Sequence, residues 1–335
     1  MLLTGNDQDL IKQLLKSLSK QFRMKDMGPL SYFLGIQAQF TPTGLFLNQQ
    51  KYATDLLQAA GMLDCAPIPT PLSLQLDRVP HQDEDFSNPT YFCSLAGKLQ
   101  YLTLTRPDIQ FAVNLVCKKM HKPTTADFHL LKRVLRYVKG TLEMGITLES
   151  ATNSQVRAYC DSDWGGCHET RRSTGGFCTF MGSNLISWSA KRQDSVSRSS
   201  TEAEYRTLSD TAAEIEWICL MMKSINLPQP GPAEVYCDNL SAVHLTANPV
   251  LHRKSKHFAT HYHFAREKVA NGTLIVKHIP AAQQLEDIFT KSLPQHSFYS
   301  LRFKLGVDFL PTSSLLGGIK PRDQAHLNVK PKPAT

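Results

Sequence analysis

The stretch YCDSDWGG, residues 159–166, places two aspartates one residue apart at the end of a short apolar run, just before a pair of glycines. One reading is a β-strand that delivers a carboxylate to the end of a sheet before the chain turns. The competing reading is an acidic turn, where Asp is equally at home. The flanking pattern bears on the choice. Strand-like segments at 156–160, 175–181 and 184–189 are separated by Gly and Asn turns. Residues 201–223 then form the longest periodic helix, with Tyr205, Leu208, Ala212, Ile215, Cys219 and Met222 on one face. A strand at 233–237, a short helix near 239–247, a helix near 258–270, a strand at 273–279 and a last helix from about 282 follow. Three consecutive strands, a helix, and then strands alternating with helices predict a mixed sheet with helices packed against it, an α+β or α/β arrangement.

Before residue 150 the pattern is mostly helical. DLIKQLLKSLSKQF (9–22) spaces Leu10, Leu14, Leu15, Leu18 and Phe22 as an amphipathic helix, and YFLGIQAQFTPTGLFLN (32–48) reads as a hairpin around a Pro/Gly turn. QKYATDLLQAAGM (50–62) is a further helix closed by Gly61, the Pro-, Asp- and Gln-rich 64–90 is a long connection, and 91–140 is helical again. With 335 residues the chain has room for two cores, expected over 1–150 and 151–309, with a Pro-, Ser- and Lys-rich mobile tail over 310–335. No apolar run reaches the ~18–20 residues of a membrane span. The N-terminus MLLTGNDQDL has none of the features of a secretory leader, so an unsecreted, intracellular protein is expected. Eight cysteines, with no CxxC pair, fit reduced thiols. A formal charge of +8 suits a polyanionic partner.

Four acids in the second half fall where secondary structure would carry them towards one edge of the sheet. Asp161 ends the first strand, Glu204 lies in the first turn of the long helix, Asp238 ends the VYCD strand (235–238), and Asp287 sits near the start of the final helix. Converging carboxylates repel by about 1–4 kcal/mol per close pair, so such a cluster needs protons or cations. Oxygen ligands select Mg²⁺ or Mn²⁺, and two such ions can activate water and stabilise the leaving oxygen of a phosphodiester. Taken singly, each acid has a structural explanation. Thr201-x-x-Glu204 matches a capping box, Asp238 and Asp287 suit helix starts, and Asp161 with Asp163 suits a turn. His278, on a loop nine residues before Asp287, suits a proton carrier beside a metal site, since imidazole changes charge near neutral pH. A rival metal module, zinc held by His252, His257, His261 and His263 with Cys237, lacks a Cys partner pair.

These residues sit in segments with a wider likeness. TRPDIQFAVN (105–114), LKRVLRYVKGTL (131–142), YCDSDWGG, RRSTGGFCTFMGSNLISWSAKRQ (171–193), SRSSTEAEYRTL (197–208), YCDNLSAVHLTANPV (236–250), KHFATHYHFAREKV (256–269) and QLEDIFTKSLP (284–294) resemble, in order, the C-terminal part of a copia-type LTR-retrotransposon Pol polyprotein. The resemblance implies late palm strands and a helical thumb and connection of a reverse transcriptase over 1–150. It implies an RNase H domain after that, a mixed five-stranded sheet flanked by helices, which cuts the RNA strand of an RNA–DNA hybrid with two divalent ions. By motif, Asp161, Glu204, Asp238 and Asp287 would be the metal ligands and His278 the mobile loop histidine. Asp163 shares the motif but, two residues past a strand-end Asp, is not expected to be a main ligand.

DNA synthesis is not expected, because the first half holds no aspartate pair in a strand turn. The basic helical residues Lys132, Arg133, Arg136 and Lys139 would hold hybrid phosphates, against the alternative of a solvated helix surface. The remaining Pol polyprotein would be a partner, and the setting a cytoplasmic virus-like particle or the nucleus. His261, Glu286 and Cys167-His168 depart from the family pattern. They keep open a second reading, a catalytically inactive nucleic-acid-binding remnant of a decaying element.

Overall fold

The computed structural model describes residues 2–74, 84–150, 153–167, 169–227, 229–247 and 259–310, with the backbone alone over 259–263. The expected tail over 311–335, His168, His252 and His257 lie outside the described residues. Helix α1 (Gln8–Gln21) starts where the Asp7 carboxylate accepts from the backbone N–H groups of Asp9 and Leu10, and it buries none of its residues. Strands β1 (Tyr32–Phe33), β2 (Ile36–Thr41) and β3 (Gly44–Asn48) form the expected hairpin with a short extension.

Four helices follow, α2 (Gln50–Ala59), α3 (Pro89–Leu102), α4 (Gln110–Cys117) and α5 (Thr125–Gly140). Asn88 caps α3 ahead of Pro89 in its first turn, and Thr124 with Asp127 forms a reciprocal capping box on α5. Strand β4 (Gly145–Glu149) pairs antiparallel with β3. A buried Arg106 knots these elements. Its Nε and Nη2 donate to the two oxygens of Asp108 at 2.8 Å each, and its Nη1 donates to the Thr141 carbonyl at 2.7 Å. The Tyr137 hydroxyl donates to Asp108 Oδ2 at 2.6 Å.

The second sheet holds the acids. Strands β5 (Val156–Asp163), β6 (Thr174–Met181) and β7 (Asn184–Arg192) form an antiparallel meander. After α6 (Ser200–Ser224), strand β8 (Ala233–Cys237) lies parallel to β5, and beyond α7 (Leu240–Ala247) and α8 (Ala259–Ala270), β9 (Leu274–His278) lies parallel to β8. The order β7-β6-β5-β8-β9 is the expected mixed five-stranded sheet. Alternation along β5 sends Val156, Ala158 and Cys160 under α6, where they meet Leu208, Ala212, Ile215, Val235 and Cys237. Asp161 lies on the opposite side.

That opposite side is not free. Cys178, Phe180, Leu185 and Ala190 of β6 and β7 join one core with Leu95, Leu99, Val113, Leu131 and Leu135 of the first half. The Trp188 indole donates to the Thr103 carbonyl at 3.2 Å and the Asn114 amide to the Ala190 carbonyl at 2.6 Å. The two halves are thus joined through buried apolar surface.

The last helix expected from about 282 is broken into α9 (Asp287–Thr290) and α10 (Gln295–Lys304). Pro294 is the cause. It cannot sit inside a helix, and Lys291 before it is extended. Strand β10 (Val307–Asp308) then pairs with Ile146 and Gly145 of β4, so the chain before residue 309 closes the first sheet rather than the second.

Candidate functional site

Parallel pairing of β5 with β8 puts Cys160 opposite Cys237, so Asp161, still paired with Gly176 of β6, and Asp238, just past the end of β8, lie side by side. Glu204 reaches the same place for a reason the sequence pattern misread. The helix is capped by Ser199, whose hydroxyl accepts from Glu202 N–H at 3.1 Å, while Glu202 Oε2 accepts from Arg198 N–H at 3.0 Å. Glu202, not Glu204, serves the helix start, and the expected Thr201–Glu204 capping box does not form. Two residues on, Glu204 is rotated about 200° around the helix and meets the sheet. Its Oε1 accepts from Ser162 N–H at 3.2 Å, and the Cys237 thiol lies 3.9 Å from its Oε2.

Asp287 opens α9, and Lys291, one turn on, donates to Asp287 Oδ1 at 2.7 Å and lies 3.0 Å from Asp161 Oδ2. Thr290 Oγ1 is 3.0 Å from Asp161 Oδ2 and 3.2 Å from Glu286 Oε2. Glu286 is fully buried and its Oε1 has no hydrogen-bond partner. Gly176 makes room for it, since a Cβ there would stand 1.7 Å from that oxygen. The exposed His278 presents Nε2 3.2 Å from the Asp238 carbonyl oxygen.

The structure therefore brings Asp161, Glu204, Asp238 and Asp287 together, with His278 at the rim. Ligand atoms of Asp161, Glu286 and Asp287 lie within 4.8 Å of one another, as do those of Glu204, Cys237 and Asp238. The charge of Asp161 acts on Glu204, so the two groups are linked electrostatically. Two members escaped the sequence reading as functional residues. In the sequence Glu286 stands out only as a departure from the family pattern, and the Asp287–Lys291 pair shows only as the i,i+4 spacing of EDIFTK (286–291).

The electrostatics follow from crowding. Burial, then Asp161, Cys237 and Asp238, push Glu204 up to about 11. Burial and the neighbouring acids push Glu286 well above the usual carboxylate range, and burial also raises Asp238 and Asp287. Burial would raise Asp161 too, but the Lys291 charge and the hydrogen bonds from Glu204, Lys291 and Thr290 outweigh it and hold Asp161 low. Without added cations, protons on Glu204 and Glu286 relieve the repulsion while Asp161 stays ionised. Oxygen donors dominate and one buried oxygen is unpartnered, so the residues fit hard divalent ions.

A stability prediction follows. Carboxyls raised in the folded chain stabilise it fully below the unfolded Glu value near 4.3 and cease to do so as pH rises towards the folded value. Asp161, being lowered, acts with the opposite sign and only below about pH 4. The thermal midpoint in EDTA should therefore fall between pH 5 and pH 8, and the increment from Mn²⁺ should grow over the same interval. A metal increment that is constant with pH would contradict this assignment of protons.

Part of the basic α5 face is already engaged. Arg133 Nη2 lies 3.3 Å from Thr70 Oγ1 and 3.2 Å from the Leu72 carbonyl, and Arg136 Nε donates to the Ala66 carbonyl at 2.8 Å. Lys132 lies 5.1 Å over the Phe128 ring, and Lys139 is half-buried in the last turn. Arg133 Nη2 and Arg136 Nε thus serve the 66–72 segment, whose carbonyls need donors. Of the rival zinc set, the described part is Cys237, which sits beside Glu204. No helix among the described residues is long and apolar enough to cross a membrane.

Comparison with known proteins places this geometry in context. Residues 1–74 match the reverse transcriptase (RNA-dependent DNA polymerase) family. The chain is 42% identical over 319 residues to the retrovirus-related Pol polyprotein from transposon RE2 of Arabidopsis thaliana, covering 95% of this chain and 22% of that one. It is 58% identical over 217 residues to an uncharacterized mitochondrial protein of Arabidopsis thaliana, covering 65% of this chain and 90% of that protein. Among solved structures, LC11-RNase H1 in complex with RNA/DNA hybrid is similar over 41% of this chain and 94% of that one, at 17% identity and a TM-score of 0.30. The chain spans about a fifth of the length of the Pol polyproteins it matches. With 42% identity to such a polyprotein along 95% of its length and a reverse-transcriptase match over residues 1–74, the chain belongs to the copia-type retrotransposon Pol polyproteins.

Proposed function

We propose that the second sheet and its helices hydrolyse the RNA strand of RNA–DNA hybrids, with two Mg²⁺ or Mn²⁺ ions held by Asp161, Glu204, Asp238 and Asp287. The observation that carries this reading is the meeting of these acids at the adjoining ends of β5 and β8. Bound ions would supply a polarised water and a counter-charge for the leaving oxygen. The chain's own part is to hold and orient. Asp161, ionised and fixed by Thr290, faces both groups of acids, and Glu204 gives up its proton when cations replace it. His278, exposed beside Asp238, stands where a proton carrier would serve the cluster. Hybrids are read through backbone shape and 2′-hydroxyls, so no base sequence is selected. The first half, with no aspartate in β1–β4, supports the hybrid and performs no synthesis.

One observation favours the silent, nucleic-acid-binding alternative. Lys291 already pairs with both Asp161 and Asp287, so part of their repulsion is offset without an ion. Incubation of end-labelled RNA–DNA hybrid with the full chain separates the two. RNA-strand cleavage with Mg²⁺ or Mn²⁺, lost in EDTA, is the expected result. Hybrid binding without cleavage in either metal would establish the alternative.

A further inference from the structure

We propose that Lys291 is a tethered counter-cation that holds the ion position among Asp161, Glu286 and Asp287 in the metal-free chain and competes with a divalent ion for it. The inference rests on the two-ion reading above and adds a device that reading does not contain. Three acids bring ligand atoms within 4.8 Å of one another, and the ammonium sits against two of them, 2.7 Å from Asp287 Oδ1 and 3.0 Å from Asp161 Oδ2. An ammonium and a divalent ion compete for those oxygens, because both draw on the same carboxylates and their positive charges repel at that range. The third acid gives independent support. Glu286 is fully buried and its Oε1 has no partner, so Lys291 leaves one donor of this group unused that an ion would engage.

The lysine is also built to leave. Its side chain is 44% exposed whereas that of Asp161 is 4% exposed, so its path out of the cluster runs to solvent. It is anchored one turn from Asp287 on α9, and a displaced ammonium stays within a side-chain length of the acids. Displacement would put a mobile positive charge at the rim, where a phosphate oxygen of the hybrid can take over the role the carboxylates held. Lys291 is thus a positioning residue that ties ion entry to the freeing of a phosphate-binding charge.

The test is Mn²⁺ titration of the full chain by calorimetry or by loss of the free-ion resonance signal. Lys291→Met should bind Mn²⁺ at least tenfold more tightly than the native chain and melt at a lower temperature in EDTA, the deficit closing at saturating Mn²⁺. Lys291→Arg should retain the weaker binding. Equal or weaker binding by Lys291→Met, or absence of binding to both, overturns the proposal. Should that variant not fold, the native chain still decides. Amine acetylation at Lys291, read by peptide mass spectrometry against Lys277, should accelerate on adding Mn²⁺, and an unchanged rate overturns the proposal. Failure of the hydrolase reading looks different, with the Mn²⁺ and acetylation results as expected but no RNA released from hybrid.

Discussion

Asp161→Asn is expected to reduce RNA release from a hybrid by at least ~10²–10³-fold while leaving the fold intact. Asp161 is the one acid of the cluster held below its ordinary range, by the Lys291 charge and its contacts with Glu204 and Thr290, so its negative charge is in place before any cation arrives. It also belongs to one group of acids, and its charge acts on Glu204 of the other. The amide keeps the shape and the contact with Thr290 but removes that charge. Asp238→Asn should act in the same direction. Asp163→Asn is the matched control. Asp163 lies two residues beyond Asp161, opposite Thr174 rather than Gly176, and lies outside both groups, so activity should stay within a few-fold of native. The measurement is initial rate on end-labelled hybrid in Mn²⁺, with circular dichroism as the check on folding. Undiminished cleavage by Asp161→Asn would end the metal-ligand assignment.

The second large effect concerns stability. Asp108→Ala is expected to cost about 3–5 kcal/mol, because it strands a buried guanidinium. The Arg106 side chain is 2% exposed and that of Asp108 fully buried, and their two parallel hydrogen bonds sit under Tyr137, whose hydroxyl also receives Arg302 Nη1 of α10 at 3.3 Å. The loss is a large share of the ~5–15 kcal/mol that folded domains possess. Burial alone would raise Asp108, but Arg106 outweighs it and holds the carboxyl low. Its stabilisation is therefore present above the ordinary Asp value near 3.9 and is lost as pH falls through the lowered folded value. Arg106→Met with Asp108→Leu should recover much of the deficit, since no charge is then left unpaired. Urea unfolding at pH 7 reads both. A cost below 1 kcal/mol for Asp108→Ala would mean that water, not Asp108, solvates Arg106.

How far the site was legible can be judged residue by residue. The apolar run that stops at Cys237 locates the end of β8 and puts Asp238 just past it, whereas β5 runs two residues beyond Asp161 to Asp163, so Asp161 lies inside its strand rather than at the end. Glu204 lies on the expected helix without the capping geometry, which belongs to Ser199 and Glu202, since S/T-x-x-E fits both Ser199–Glu202 and Thr201–Glu204 and local spacing cannot choose. Arg133 and Arg136 looked like a solvated basic face because the 66–72 segment they bind is distant in sequence and has no periodicity. Lys291 was invisible as part of the site because its key partner, Asp161, is 130 residues away.

Local chemistry in the chain thus determined which segments become strands and helices, the three-strand meander and later alternation that make a mixed sheet, and the strand-end and helix-start positions of the acids. Tertiary structure alone decided that β8 lies against β5, that the first half covers the β6–β7 face, that β10 returns to β4, and that an ammonium sits among the acids. The physical reason is range. Periodicity, capping and turn chemistry act over a few residues, whereas strand partners are selected by how much apolar surface the whole chain can bury at once, and charges find their counter-charges only after that choice is made.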